Sequence, residues 1–381
     1  MAKMVISGNV VTPERAFFGA VSVAGGKIDD LREEGALRPD AEWVLPGFID
    51  LHLHGLGDGN VSSLEMMRKM AEFGPSTGLT GFLPTRSASP LPDMLNYAEW
   101  INELMAHPAG TTVLGSHLEG PFISPARKGG MSLDRLSEPS MEKLEALIAA
   151  LKGHLRLMTL SPELDGTDEI IKRLIAAGVT ASAGHTGCTP ERLKEAADLG
   201  ISHVCHMFDT FEPRTVQGGV TQLSLADAAL IDDRLTIEVI VDGVHVPAGL
   251  IEVIRRLVGK RRFVVITDGQ RGAGLPEGIY TSVYGGSYRL SFTEGCRRVK
   301  DNGLIGSCLT MNRAFFNLTT RFGFDPVAAA LATSTNAARA IKLDGVTGAL
   351  ETGKRADIAV LAPDKLTVKL CVISGEEAYR G

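Results

Sequence analysis

The chain has 381 residues, 44% hydrophobic and 22% charged, with a formal net charge of −6. A globular chain of this size buries a large core without a disulfide or metal staple, so a metal would serve chemistry rather than folding. The acidic balance and the lack of a basic stripe argue against nucleic acid, and no segment reaches the ~20 apolar residues of a membrane span.

The opening, MAKMVISGNVV, carries no apolar stretch of the signal-peptide kind. Residues 1–46 read as short strands broken by glycine turns. From Phe48 onward the pattern changes. Eight β-rich apolar runs follow, at Phe48–Leu53, Gly81–Thr85, Thr112–Leu118, Leu155–Leu160, Thr180–Ala183, Ser202–Cys205, Thr236–Val241 and Arg262–Thr267. Helical patterns such as MEKLEALIAALKG and PERLKEAADLG lie between them. Ser140, Thr167 and Thr189 suit N-caps, Pro190 suits a first helical position, and Gly153, Gly178, Gly200 and Gly259 mark C-terminal ends. Eight strands alternating with helices predict an α/β protein, a (β/α)8 TIM barrel. An open doubly wound sheet is the alternative, but no GxGxxG follows the first run. From about residue 347 the chain again reads as short strands. The expected organisation is therefore a barrel domain over 47–346, beside a small β-sandwich domain formed by both termini, 1–46 plus 347–381.

Five cysteines, Cys188, Cys205, Cys296, Cys308 and Cys371, are scattered and form no CxxC pair. They read as reduced thiols of a cytoplasmic protein.

The nine histidines are scarce enough for their placement to matter. His52 and His54 end the first run, and alternate residues of a strand share a face. Glu119 follows the third run, His185 the fifth, His206 the sixth and Asp268 the eighth. A closed barrel brings these strand ends to one mouth. Imidazole and carboxylate without thiolate suit one or two divalent ions of Zn, Fe, Mn, Co or Ni. Asp268 is the candidate proton shuttle and His245, after the seventh run, the candidate carbonyl polariser. His117 and His203 read as core or ligand-orienting residues, and His154 as surface.

With those residues in view, PGFIDLHLHG, HLEGPF, SAGHT, DGVHV, TDG, GSCLTM and the closing GALETGKRADIAVL resemble the N-acetylglucosamine-6-phosphate deacetylases of the amidohydrolase superfamily. The resemblance implies a metal on Glu119, His185 and His206, a binuclear type because His52 and His54 are kept, catalysis by Asp268 and His245, and a homodimer. The substrate side departs from the family. KGGM places Met131 where the family has a sugar-contacting histidine, and HMFDTF places Asp209 and Thr210 where it has Asn-Ala. Arg214 stands near, but out of step with, an expected arginine, and Gln270 and Arg271 follow TDG. These six are the candidate substrate contacts. A carboxylate at position 209 predicts weaker selection for a phosphate, unless Arg127, Lys128, Arg214 and Arg271 restore anion binding. The reading is removal of an N-acetyl group from an amino sugar or its 6-phosphate, a small-molecule substrate. Action on a cyclic amide or an N-acyl amino acid, and a non-catalytic sugar- or metal-binding relic, stay open.

Overall fold

The computed structural model describes residues 4–282 and 285–381; the first three residues of the expected small domain lie outside them. Eight parallel strands follow one another round the main sheet in chain order: Phe48–Leu53, Leu79–Ser87, Ser116–Glu119, Leu155–Leu160, Thr180–Ala183, His203–Val204, Thr236–Ile240 and Phe263–Ile266. Sequential order without a reversal point rules out the doubly wound alternative. The eighth strand returns to the first. Asp268 N donates to His52 O at 2.9 Å, and Leu53 bridges Gly269 in parallel register. The helical segments between Met311 and Ala340 lock this seam, with Asn336 Nδ2 donating to Phe263 O and Ser334 Oγ to Gly47 O, each at 2.7 Å.

The predicted runs and the observed strands differ where backbone geometry intervenes. The run Thr112–Leu118 is split, because Gly115 at φ 138° turns the chain between Thr112–Val113 and Ser116–Glu119. Ser140 and Thr189 cap their helices through hydroxyls that accept from Lys143 N and Arg192 N. Thr167 does not cap. It is the first helical residue, and its hydroxyl donates to Pro162 O at 2.7 Å.

Strands from the two ends of the chain form one seven-stranded sheet. Trp43–Pro46 is its middle strand, parallel to Met4–Val11 on one side and antiparallel to Ile358–Leu361 on the other. Val10, Val21, Val44, Ile358, Val360 and Val372 pack inside it as a second apolar core. Only Gly47 separates Trp43–Pro46 from the first barrel strand, so this sheet holds the root of the strand that carries His52 and His54. Among the described residues no helix is long and apolar enough to cross a membrane.

Candidate active site

The ends of the first, third, fifth, sixth and eighth strands bring His52, His54, Glu119, His185, His206 and Asp268 together, all buried. Three of them leave their strands through backbone that L-residues seldom adopt: φ is 47° at His185, 23° at His206 and 47° at Asp268. Each such conformation costs about 1–3 kcal/mol and persists only where the surroundings enforce it. Here it turns side chains inward at the barrel mouth.

Two clusters share Glu119. Its Oε1 lies 3.0 Å from His185 Nε2 and 3.2 Å from His206 Nε2. It is also 3.5 Å from His52 Nε2, while Oε2 is 3.5 Å from His54 Nε2. Ser87 Oγ donates to Oε2 at 2.9 Å. Burial would raise the Glu119 carboxyl pKa, but His52 and hydrogen bonds from His185 and His206 outweigh it and hold it well below the carboxylate range.

The far side of each ring decides which nitrogen carries the proton. His54 Nδ1 faces Thr85 O at 3.0 Å, and His185 Nδ1 faces Arg127 O at 2.9 Å. A carbonyl only accepts, so both Nδ1 atoms donate, and in the neutral rings both Nε2 atoms keep a lone pair. His52 Nδ1 faces the carboxylate of Glu238 at 3.5 Å, with the same consequence. Yet His52 Nε2 and His54 Nε2 approach to 3.1 Å, as do His185 Nε2 and His206 Nε2. When His52 and His54 are neutral, the form in which imidazole binds a metal, their facing lone pairs have no proton to share; the protonated rings are the form that donates to Glu119 and Asp268. A cation between them accounts for that approach, so this donor set fits a divalent metal: His52, His54 and Glu119 on one side, Glu119, His185 and His206 on the other. His52, His117 and Cys205 also lie close together. His117, however, is satisfied by Thr85 Oγ1 at 3.2 Å and Thr159 Oγ1 at 2.9 Å.

Asp268 Oδ1 stands 3.2 Å from His54 Nε2 and 3.8 Å from His52 Nε2. Burial opposes its ionisation, but the hydrogen bond from His54 and the charges of both histidines keep its pKa below the ordinary value. His245 Nδ1 donates to Asp242 Oδ2 at 2.7 Å, and its buried Nε2 has no protein partner. Both side chains line a cleft of about 370 Å³, a small-molecule size, together with His54, Glu119, His185 and His206.

The six candidate substrate contacts divide. Met131, Asp209, Thr210 and Gln270 line this cleft. Arg214 and Arg271 do not. Arg214 Nε donates to Asp227 Oδ2 at 2.8 Å and Arg271 Nε to Asp58 Oδ1 at 2.9 Å, and each pairing draws the guanidinium away. Arg127 pairs with Glu212, and Lys128 Nζ donates to Met131 O at 2.9 Å. The cleft's arginines are instead Arg135 and Arg298, which sequence reasoning missed. Glu238 was missed too. It is fully buried, accepts from His203 Nε2 at 2.8 Å and from His206 N at 3.3 Å, and anchors His52. Its signal was available: a lone carboxylate in the apolar run TIEVIV.

If the cluster holds metal, His185→Ala or His206→Ala removes a donor from the Glu119–His185–His206 set. Elemental analysis of purified protein should then find at least one first-row divalent ion per wild-type chain and less in either variant. Wild-type protein that is fully active with no metal would overturn this assignment.

The amidohydrolase family profile matches residues 43–378. An N-acetylgalactosamine-6-phosphate deacetylase of Escherichia coli O157:H7 is 31% identical over 331 residues, covering 84% of each chain. An N-acetylglucosamine-6-phosphate deacetylase of Bacillus subtilis is 28% identical over 378 residues, 95% of this chain and 93% of its own. The solved structure of N-acetyl-D-glucosamine-6-phosphate deacetylase from Mycobacterium smegmatis, in complex with N-acetyl-D-glucosamine-6-phosphate, superimposes with a TM-score of 0.89 at 27% identity, covering 99% of this chain and all of that one. With its barrel, its buried histidine–carboxylate cluster and a family match over most of its length, the chain belongs to the amidohydrolase family.

Proposed function

We propose that the protein hydrolyses the acetamide of an N-acetyl amino sugar, releasing acetate and a free amine, in carbohydrate metabolism. The observation that carries this reading is the meeting, in one cleft, of the Glu119–histidine cluster, a carboxylate at Asp268 and an unpartnered imidazole nitrogen at His245. Relatives named as amino-sugar phosphate deacetylases support the substrate class.

His52, His54, Glu119, His185 and His206 would hold one or two ions of Zn, Fe, Mn, Co or Ni. A divalent ion there would acidify a water from about 15.7 to about 7 and polarise the amide carbonyl. Asp268 takes the proton of the attacking water and delivers it to the nitrogen as the C–N bond breaks. Its depressed pKa keeps it ionised and ready to accept. His245 directs Nε2 at the carbonyl oxygen and stabilises the charge that gathers there. Burial disfavours its imidazolium, but the hydrogen bond and charge of Asp242 outweigh that and raise its pKa. Met131, Asp209, Thr210 and Gln270 contact the sugar. The absence of a lysine at the end of the fourth strand, where Glu163 instead accepts from Gly187 N at 2.8 Å, disfavours the cyclic-amide reading.

Five buried thiols without a disulfide suit a cytoplasmic enzyme. We also read it as a homodimer. The hairpin after the sixth strand exposes Val216 and Val220, and Leu223 lies next to it, each at least 60% accessible. Sedimentation equilibrium should give a dimer mass that Val220→Asp lowers; a monomeric wild type removes the assignment.

Amide hydrolysis tests the activity, read as acetate release from N-acetylglucosamine and its 6-phosphate, as amino acid release from an N-acyl amino acid, and as ring opening of a cyclic amide. Turnover confined to the last two would overturn the reading. Asp268→Asn should keep metal and fold and lose at least ~100-fold in kcat; normal turnover would make Asp268 structural. Asp242→Asn removes the partner that raises the His245 pKa. The imidazolium then loses its proton at lower pH, so the alkaline limb of the kcat profile should move downward. A limb that does not move removes the charged His245 from the mechanism.

A further inference from the structure

Two of the five cysteines lie together and take no part in the proposed hydrolysis. Cys296 sits on the strand Gly295–Arg298, part of a three-stranded antiparallel sheet inserted after the eighth barrel strand. It stands directly opposite Leu290 of the strand Ser287–Ser291, on the same face. Cys308 comes from the segment that returns to the barrel. That segment pairs with the sheet through Arg297 and Leu304, and Ile305 N donates to Cys296 O at 3.0 Å. Cys308 Sγ then reaches Ser291 O at 3.3 Å. Both thiols thus enter one small apolar cluster with Tyr288 and Leu290, against which Tyr280 and Ile305 pack.

The two thiols are unlike. Cys296 donates its S–H to the Cys308 sulfur. This bond raises the pKa of Cys296 and lowers that of Cys308, outweighing the burial that would raise it. Thiolate is the reactive form of cysteine, so Cys308 reacts first and Cys296 follows as its resolving partner. Exposure agrees: Cys308 is 7% accessible and Cys296 not at all. Ile305 both packs on the cluster and lines the catalytic cleft, so a small solute in the cleft comes close to the pair.

We propose that Cys296 and Cys308 form a redox-modification site, at which a small hydroperoxide makes a disulfide that slows the enzyme and a dithiol reductant restores it. The Cys308 thiolate attacks the terminal oxygen of the hydroperoxide. The O–O bond breaks, a sulfenic acid forms, and the leaving oxygen takes up the proton that Cys308 released. The Cys296 sulfur then attacks the Cys308 sulfur and gives up its own proton. The S–O bond breaks and the hydroxide leaves as water, so two electrons have passed from the sulfurs to the peroxide oxygens. Transient, redox-sensing disulfides are the kind found in a reducing compartment. Turnover responds because of what Cys308 is fastened to. Its neighbour Ser307 donates N–H to Asp268 O at 2.8 Å and accepts from Gln270 N at 2.9 Å, and its hydroxyl donates to Thr267 O. Sulfurs in contact are about 4 Å apart and bonded sulfurs about 2.05 Å, so the bond pulls on the strand end that carries Asp268 by up to about 2 Å.

The test treats metal-loaded wild type with a few equivalents of hydrogen peroxide. Peptide mapping without reductant should find Cys296 joined to Cys308, with two of the five thiols lost. In acetate release from N-acetylglucosamine-6-phosphate, kcat should fall about 10- to 100-fold, the scale of a reacting group misplaced by about 1 Å. It should recover with dithiothreitol at unchanged metal content. Cys296→Ser should strand Cys308 as a sulfenic acid that dimedone labels. Cys308→Ser should leave Cys296 a thiol and keep its kcat through the treatment; Cys308→Ala is carried alongside in case a buried serine hydroxyl prevents folding. No cross-link in wild type, a cross-link between other cysteines, or a Cys296–Cys308 bond that leaves kcat unchanged overturns the proposal. The mapping needs no substrate: the cross-link in a protein that releases no acetate would leave the dithiol site standing and remove the deacetylase reading instead.

Discussion

Everything at the barrel mouth depends on one electrostatic fact: a buried carboxylate, Glu119, shares its oxygens with four imidazoles at 3.0–3.5 Å. Removing such groups from water costs several kcal/mol unless opposite charge is close. Ser87 supplies one hydrogen bond. The lone pairs that meet at 3.1 Å call for a cation. The cluster is thus a poor core and a good receptacle, and the rest of the fold holds it in that state.

The holding is done from behind. Thr85 O and Arg127 O fix the rings of His54 and His185, and Glu238, itself held by His203, fixes His52. Such outer contacts set the tautomer and aim of each ligand. The closing contacts between first and eighth strands join His52 O to Asp268 N, so barrel closure and the spacing of two site residues are the same event. Left-handed backbone at His185, His206 and Asp268 is sustained by that closed frame.

Periodicity made much of this legible. Phe48–Leu53, Leu155–Leu160 and Thr180–Ala183 are strands at the boundaries read from sequence, because alternation or dense β-branching leaves little choice there. The polar residues ending those runs could be assigned to one mouth once a barrel was assumed. The arginines of the cleft were not legible. Arg298 arrives on an inserted sheet whose direction depends on tertiary packing, and Arg135 on a loop without periodicity. Arg214 and Arg271 looked equally suitable in the sequence, but nothing local foretold their pairing with Asp227 and Asp58.

The seven-stranded sheet imposes an order on synthesis. Its middle strand, Trp43–Pro46, emerges early, yet its partner Ile358–Leu361 follows roughly 310 residues later. At about 5–20 residues per second, the N-terminal hairpin waits about 15–60 s for that edge to be covered. During the wait it must not pair with another nascent chain. The outer strand Lys27–Gly35, KIDDLREEG, is crowded with charge and exposed along most of its length. Charged edge strands resist such pairing, so its acidic sequence guards the far edge of the sheet, which none of the later strands covers, during synthesis and in the finished fold alike.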